Sequence, residues 1–154
     1  MQEKPKGKLR TGFTTGTSAT AASTAAILSI INQKKIESVD VLLPKKDRIK
    51  ININSCKFDK NKARCSVIKD GGDDPDVTHG AEIVVDLELT TKQNSIEIDG
   101  GEGVGRVTKP GIGLEIGQAA INPIPRKMIT ENLTLTGKKI LEKNGIKVVI
   151  SVPK

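Results

Sequence analysis

Apolar residues alternate with polar ones along several stretches of the chain, and this alternation constrains the fold more than any other feature. In "DRIKININ", Ile49, Ile51 and Ile53 fall on one side of an extended backbone. Side chains of a strand point to opposite faces in turn, so this period of two predicts half-buried β-strands. The predicted strands are 37–44, 47–59, a hairpin partner "KARCSVIKD" after the polar turn "KNK", 81–90, a strand opening "NSIEIDG", and 145–153.

Other stretches have helical character. The run "ATAASTAAILSIIN", from residue 19 to about residue 32, is rich in strong helix formers. Its predicted apolar face consists of Ala22, Ala25, Ala26, Ser29 and Ile30. A second helix is predicted to start near Pro125, and a short third one to cover 138–143. Because the strands are grouped, the predicted class is α+β, with a mixed sheet of five to six strands and two to three helices.

The composition narrows the kinds of partner. The length of 154 residues fits one domain. Its core is expected to be aliphatic, since Phe13 and Phe58 are the only aromatic residues. The 25 basic and 18 acidic residues give a net charge of +7, which suits a polyanionic partner but also serves solubility alone. Nucleic acid and a small molecule with many carboxylates or phosphates both fit this charge. The lack of aromatic stacking platforms counts against single-stranded nucleic acid.

The sequence also bears on location. No stretch approaches the roughly 20 apolar residues that a membrane span requires. The polar "TGFTTGTS" after the basic start argues against a secretory signal. Cys56 and Cys65 lie in strand-like sequence without a CxxC spacing, so both are predicted to be ordinary thiols in a reducing compartment. The chain is therefore expected to be soluble and cytoplasmic, without a membrane partner.

The first of three polar segments, "RTGFTTGTSAT", precedes the first predicted helix. The amino end of a helix carries unpaired N–H groups and a partial positive charge. Gly16 would let an anion approach the backbone closely, and Thr14, Thr15 and Thr17 would add hydroxyl donors. The segment is a candidate cradle for a carboxylate or phosphate, although it lacks the lysine of a nucleotide P-loop. The alternative is a capped helix start without a ligand.

The second segment, "DGGDDPDVTHGAEI", gathers four aspartates and the single histidine of the chain into ten residues. Three interpretations stay open: a turn stabilised by aspartates, a polar substrate contact with acid–base chemistry, or a divalent cation site. The spacing does not fit an EF-hand, and zinc would require more His or Cys, so no metal ligands are assigned. The side chains concerned are those of Asp73, Asp74, Asp76 and His79, and His79 could exchange a proton near neutral pH.

The third segment, "GGEGVGRVTKPGIG", matches a dinucleotide-binding loop only superficially. The third glycine of GxGxxG is missing, and Pro110 with Gly111 opposes the helix that would receive a pyrophosphate. As a tight loop the segment would present Glu102 and Arg106, and a guanidinium suits bidentate binding of a carboxylate. A purely structural loop is the alternative.

Four stretches in this order, "LRTGFTTGTSATAA", "DGGDDPDVTHGAEI", "GGEGVGRVTKPGIG" and "AAINPIPRKMI", resemble the cobalt-precorrin-5B C1-methyltransferase family of anaerobic cobalamin biosynthesis. The resemblance implies methylation of cobalt-precorrin-5B to cobalt-precorrin-6A with S-adenosylmethionine as co-substrate. It also implies an N-terminal α+β domain with a left-handed β-α-β crossover, an exception to the usual right-handed rule. Family members continue into a second, α/β domain, so residues 1–154 are expected to form a single domain with that C-terminal domain absent.

The resemblance also implies roles for the three segments, since a corrinoid precursor is ringed by carboxylate side chains. The expected substrate-binding residues are Thr14, Thr15, Gly16, Thr17, Asp73, Asp74, Glu102 and Arg106, and the expected catalytic residues are Asp76 and His79. The segments would then have to converge on one rim of the sheet. The alternatives are a non-catalytic module that binds tetrapyrroles or other polyanions and, with less support because the basic residues are scattered, an RNA-binding domain.

Overall fold

The computed structural model describes residues 15–68, 81–101 and 123–153. The helices within these ranges are α1 (Thr15–Asn32), α2 (Pro123–Thr136) and α3 (Lys138–Leu141). The strands are β1 (Ser38–Leu42), β2 (Arg48–Asn52), β3 (Ser55–Phe58), β4 (Lys62–Ile68), β5 (Glu82–Thr90), β6 (Ile96–Gly100) and β7 (Gly145–Ser151). None of the described helices has both the length and the apolar character needed to cross a membrane.

The strands form two sheets. A five-stranded sheet has the order β3-β4-β5-β7-β6, and its neighbours are antiparallel except β6 and β7, which run parallel. β1 and β2 form a separate antiparallel hairpin. The predicted α+β class with a five-stranded mixed sheet is confirmed. β6 and β7 are connected through α2 and α3 as a β-α-β unit, whose left-handed sense stays a prediction.

The stretch 47–59 was predicted as one strand, and this was wrong, because the stretch is divided between the two sheets as β2 and β3. The amide of Ile53 donates to the carbonyl of Glu37, just before β1. The next amide, that of Asn54, donates instead to the carbonyl of Ser66 in β4. Burial also changes phase, since Ile51 and Cys56 are both buried although an odd number of positions separates them. One regular strand would place these two side chains on opposite faces.

α1 is buried on nearly every side. It packs against β3, β4 and β5 of the large sheet, against β1 and against α2, and every residue in 16–27 is buried. The predicted apolar face is confirmed as part of this larger buried surface. Small side chains let neighbouring elements approach the helix from several directions. The hydroxyls of Thr20, Ser23 and Thr24 each donate to the carbonyl four residues earlier, at 2.7, 2.8 and 2.8 Å, so these polar groups are satisfied inside the core.

The helix starts earlier than predicted. Thr15, Gly16 and Thr17 were expected in a loop, but they form the first turn of α1. The bond from the Thr20 hydroxyl to the Gly16 carbonyl shows that helical spacing is already established there. Glycine is a weak helix former, but burial of the alanine-rich run that follows outweighs this local preference.

The later elements lie close to their predicted positions. α2 begins two residues before Pro125, α3 covers 138–141, and β7 ends at Ser151. Gly145 opens β7 where no side chain fits, because an added Cβ would collide with the Lys92 carbonyl and with the hydroxyl of Ser95. The turn before the last strand therefore requires glycine.

The side chain of Asn132 joins α2 to the end of β1 through hydrogen bonds. Its side chain is 3% exposed; Oδ1 accepts the Leu42 amide at 2.9 Å, and Nδ2 donates to the Leu42 carbonyl at 3.0 Å. Nδ2 also donates to the Met128 carbonyl at 2.8 Å. One amide thus holds both backbone groups of Leu42, and so joins the β1–β2 hairpin to the helices.

Asn132→Ala should lower the free energy of unfolding by about 1–3 kcal/mol, because it removes the partner of both Leu42 backbone groups. Thr134→Ala is the matched control on the same helix, since the Thr134 hydroxyl is exposed and donates to the nearby Thr130 carbonyl. The control should change stability by about 0.5 kcal/mol or less. Urea denaturation measures both effects, and equal losses in the two variants would contradict the role given to Asn132.

Cys56 and Cys65 face each other across β3 and β4 in the core. Both are free and buried, as predicted for ordinary thiols. Burial raises the pKa of the Cys65 thiol well above its ordinary range, and the neighbouring Cys56 raises it further. The folded protein therefore keeps Cys65 as a neutral thiol in conditions where an unfolded chain would ionise it.

Stability should consequently fall in alkaline solution. Since the unfolded chain releases the Cys65 proton and the folded chain retains it, the contribution is complete below the ordinary thiol pKa of 9.0 and declines as the pH rises beyond it. The expected slope approaches about 1.4 kcal/mol per pH unit. Urea denaturation across this pH range should show a shallower decline for Cys65→Ala than for the unaltered chain. Parallel declines would contradict the assignment.

Candidate functional site

The registers of the five-stranded sheet bring several strand ends to one side of the molecule. The relevant pairs are Ile68 with Glu82, Val84 with Ser151, and Gly100 with Ile150. They place the carboxyl ends of β4, β6 and β7 beside the amino end of β5. We call this side the Glu82 end of the sheet. The opposite side, where β4 begins, is the Lys62 end.

Two of the three polar segments are attached at the Glu82 end. Residues 69–80, the acidic segment, connect the end of β4 to the start of β5. The glycine-rich segment follows Gly101, which extends β6 by donating its amide to the Ile150 carbonyl at 2.7 Å. The described residues that flank the two segments are therefore neighbours in the sheet.

The orientation of α1 brings the third segment to the same side. Gln33, directly after α1, donates from Nε2 to the carbonyl of Asp59 at 3.3 Å, and Asp59 lies in the β3–β4 turn at the Lys62 end. A helix of 18 residues is about 27 Å long. α1 therefore begins toward the Glu82 end, immediately after the threonine-rich stretch.

α2 begins toward the Glu82 end as well. Arg126, in its first turn, donates from Nη1 to the Ile98 carbonyl of β6 at 3.3 Å. Gly137, just beyond α2, lies against Ile146 at the start of β7, on the Lys62 end. The amino ends of α1 and α2, each with the partial positive charge of a helix start, thus share one side of the protein, and α2 offers fewer N–H donors there because Pro123 and Pro125 have none. The two helix starts favour an anion, whereas Glu82 and the acidic segment attached at the same end carry negative charge.

The described residues include three of the predicted site residues. Thr15, Gly16 and Thr17 form the first turn of α1, and Gly16 and Thr17 are buried. The remaining predicted residues lie outside the described ranges: Thr14, Asp73, Asp74, Asp76, His79, Glu102 and Arg106. Their roles stay predictions.

A polar network that sequence reasoning missed lies at the Glu82 end. Glu82 Oε2 accepts hydrogen bonds from the Ser66 hydroxyl at 2.8 Å and from Asn54 Nδ2 at 3.2 Å. The hydroxyls of Ser55 and Ser66 are 2.7 Å apart. The network ties together the three strands β3, β4 and β5 beside the attachment points of the acidic segment. Sequence could have pointed to one member of this network, since Glu82 belongs to the "DGGDDPDVTHGAEI" stretch.

A groove of about 450 Å³ lies elsewhere, on the sheet face away from α1 and toward the Lys62 end. Cations and carboxylates both line it, including Arg64 and Asp86, whose charged groups are 3.7 Å apart and largely solvated. Such an exposed pair contributes little, and the four basic and three acidic side chains that line the groove leave a net charge of only +1. The groove is therefore a poorer candidate site than the Glu82 end.

Comparison with known proteins identifies the family. The CbiD family model matches residues 1–154. The chain belongs to the CbiD family. A relative named cobalt-precorrin-5B C(1)-methyltransferase from Leptospira interrogans is 48% identical over 148 residues, and one of the same name from Priestia megaterium is 45% identical over 155. These matches cover 95% and 99% of this CbiD chain but 39% and 42% of the relatives, so the chain spans about two fifths of their length.

A solved structure supports the same relationship. The crystal structure of a cobalamin biosynthesis protein (cbiD) from Archaeoglobus fulgidus matches with a TM-score of 0.64 and 30% sequence identity. The match covers 92% of this CbiD chain and 44% of that protein. The family expected from four sequence stretches is confirmed.

Gly101 shapes the Glu82 end of this CbiD chain. A Cβ added at Gly101 would lie 2.5 Å from Ser151 Oγ and 3.1 Å from Val149 Cγ1. The glycine lets the ends of β6 and β7 pack closely where the glycine-rich segment leaves the sheet.

Gly101→Ala should therefore destabilise the protein by about 1–3 kcal/mol through overpacking. The same substitution should cost less in a Ser151→Ala background, because the oxygen that lies nearest to the new Cβ is gone. Urea denaturation of the unaltered chain, both single variants and the double variant measures the coupling, expected at about 0.5 kcal/mol or more. Strictly additive losses would show that the two residues do not share this contact.

Proposed function

We propose that this chain is the substrate-binding part of an S-adenosylmethionine-dependent enzyme that methylates C1 of cobalt-precorrin-5B, giving cobalt-precorrin-6A in cobalamin biosynthesis. Relatives that carry the C(1)-methyltransferase name match nearly its whole length. The structural feature that supports the proposal is the set of three strand carboxyl ends at the Glu82 end, toward which α1 and α2 also begin. The same proposal places the chain in the cytoplasm, without a membrane or nucleic-acid partner.

The helix amino ends at the Glu82 end suit the carboxylates of the substrate. A corrinoid precursor is a macrocycle bordered by carboxylates, and helix amino ends bind such groups through backbone N–H donors that are already oriented. We assign the first turn of α1, with Thr15, Gly16 and Thr17, to one substrate carboxylate. Arg106 is assigned to another, because a guanidinium can bind a carboxylate through two parallel bonds. The net charge of +7 would favour the approach of such a ligand.

The reaction needs positioning more than it needs a strong catalytic group. The donor supplies a methyl group on a positively charged sulfur; C1 of the ring provides the electron pair of the new bond, and the old C–S pair stays on sulfur. The protein must hold the two molecules in line and keep water out. We assign Asp73, Asp74 and Glu102 to polar contacts with the substrate. Asp76 or His79 would move a proton during turnover.

A second candidate function is binding without catalysis. Since the chain spans about two fifths of the relatives, residues that complete the reaction could belong to the remaining three fifths. A tetrapyrrole-binding module would use the same end of the sheet and the same carboxylate contacts.

Isothermal titration calorimetry separates these functions. The chain is titrated with cobalt-precorrin-5B and, separately, with S-adenosylmethionine. Binding of cobalt-precorrin-5B is the expected result. If neither compound binds, the proposed role as substrate-binding part is wrong. If RNA binds instead, with affinity that falls steeply as salt rises, the RNA-binding alternative gains support.

Asp74→Asn and His79→Gln should impair turnover of a complete enzyme that carries these residues, with unchanged thermal unfolding. His79→Gln is expected to slow methylation by roughly a hundredfold or more if it moves a proton, and Asp74→Asn to weaken substrate binding by about tenfold. Asp59→Asn is the control, since Asp59 lies in the turn at the Lys62 end. Normal turnover in both variants would remove the roles given to the acidic segment.

A further inference from the structure

Ser18 carries a buried hydroxyl that the folded chain does not use. Its side chain is 0% exposed. Among the buried side-chain nitrogen and oxygen atoms of the described residues, Ser18 Oγ is the one without a hydrogen-bond partner. A buried polar group in this state destabilises the folded protein, and native structures contain few of them.

The rest of α1 shows that an unbonded hydroxyl is avoidable in this helix. Thr20, Ser23 and Thr24 lie in the same buried surface and all donate to the carbonyl four residues earlier. Ser29 donates to a carbonyl three residues earlier, at 2.7 Å. Ser18 belongs to the same class of side chain on the same helix and makes neither bond. The carbonyl four residues before Ser18 belongs to Thr14, ahead of α1, but the Thr15 carbonyl three residues before it is within the helix and Ser18 does not use it.

The position of Ser18 suggests what its partner could be. Ser18 is the fourth residue of α1, and Cα–Cβ bonds in an α-helix tilt toward the amino end. Its hydroxyl therefore leans toward the helix end that carries partial positive charge. That helix end lies toward the Glu82 end of the sheet, where the strand ends meet.

We propose that Ser18 Oγ is a ligand-binding group, which donates a hydrogen bond to a carboxylate held at the amino end of α1. The proposal rests on the proposed function and adds a residue to its site. An anion is the partner that the hydroxyl and the helix end would attract together, because both present hydrogens to it. Two molecules of the proposed reaction carry carboxylates: the corrinoid precursor and the amino-acid part of S-adenosylmethionine.

The test compares Ser18→Ala with Ser23→Ala in the 154-residue chain. Both remove one hydroxyl from a fully buried serine of α1, but only the Ser23 hydroxyl has a partner, the Ala19 carbonyl. Without ligand, Ser18→Ala should raise the midpoint of thermal unfolding by a few degrees, and by more than Ser23→Ala does. With ligand, Ser18→Ala should weaken binding by roughly tenfold or more, as expected for a lost bond to a charged group. Ser23→Ala should leave the affinity unchanged.

Titration with cobalt-precorrin-5B and, separately, with S-adenosylmethionine shows which carboxylate Ser18 binds. A loss confined to one compound assigns the carboxylate to it. If the unaltered chain binds either compound and Ser18→Ala binds it equally well, this inference is wrong while the proposed function stands. If the unaltered chain binds neither, both are wrong. Equal weakening by Ser18→Ala and Ser23→Ala would indicate a general effect on α1 and would also overturn the inference.

Discussion

The fold depends on burying α1, a helix made largely of alanine, serine and threonine. Each of these side chains removes little apolar surface from water, so the helix is stabilised by contact on many sides at once. The large sheet, β1 and α2 supply those contacts. Hydroxyl groups are tolerated in this buried surface because those of Thr20, Ser23 and Thr24 donate hydrogen bonds to backbone carbonyls of the same helix. Ser18 departs from this pattern at the end of the helix where a ligand is expected.

The parallel pairing of β6 with β7 determines at which end of the sheet the described residue before the glycine-rich segment lies. If β6 ran antiparallel to β7, Gly101 would lie at the Lys62 end, far from Ile68 and Glu82. Because the pair is parallel, the chain leaves β6 at the Glu82 end and must return to the Lys62 end before β7 begins. α2 makes part of that return, which is why its amino end lies toward the Glu82 end. The direction of β6 thus places both Gly101 and the start of α2 toward the Glu82 end.

Local patterns predicted the elements, and long-range contacts decided how they are arranged. The alternation around Ile51 predicted strand structure because burial of one face leaves a period of two in the sequence. The division of 47–59 into β2 and β3 depended on partners elsewhere, although the shift in burial phase between Ile51 and Cys56 was a readable sign of it. The Asn132 bonds to Leu42 join residues 90 positions apart, and no local preference encodes such a contact. Likewise, Glu82 could be placed on a strand from sequence, but its bonds to Ser66 and Asn54 required knowing which strands are neighbours.

The exposed sheet face helps to distinguish the kinds of anion that this protein could bind. Lys62, Glu88, Lys147 and Glu97 are successive partners across β4, β5, β7 and β6. Each cation in this row has a carboxylate beside it, so the row forms no continuous basic strip. A nucleic-acid backbone is bound best by a run of unneutralised cations, whereas helix amino ends bind single anionic groups at fixed positions. A macrocycle with separate carboxylates around its rim matches the second arrangement, and this agrees with the corrinoid that we propose as the ligand.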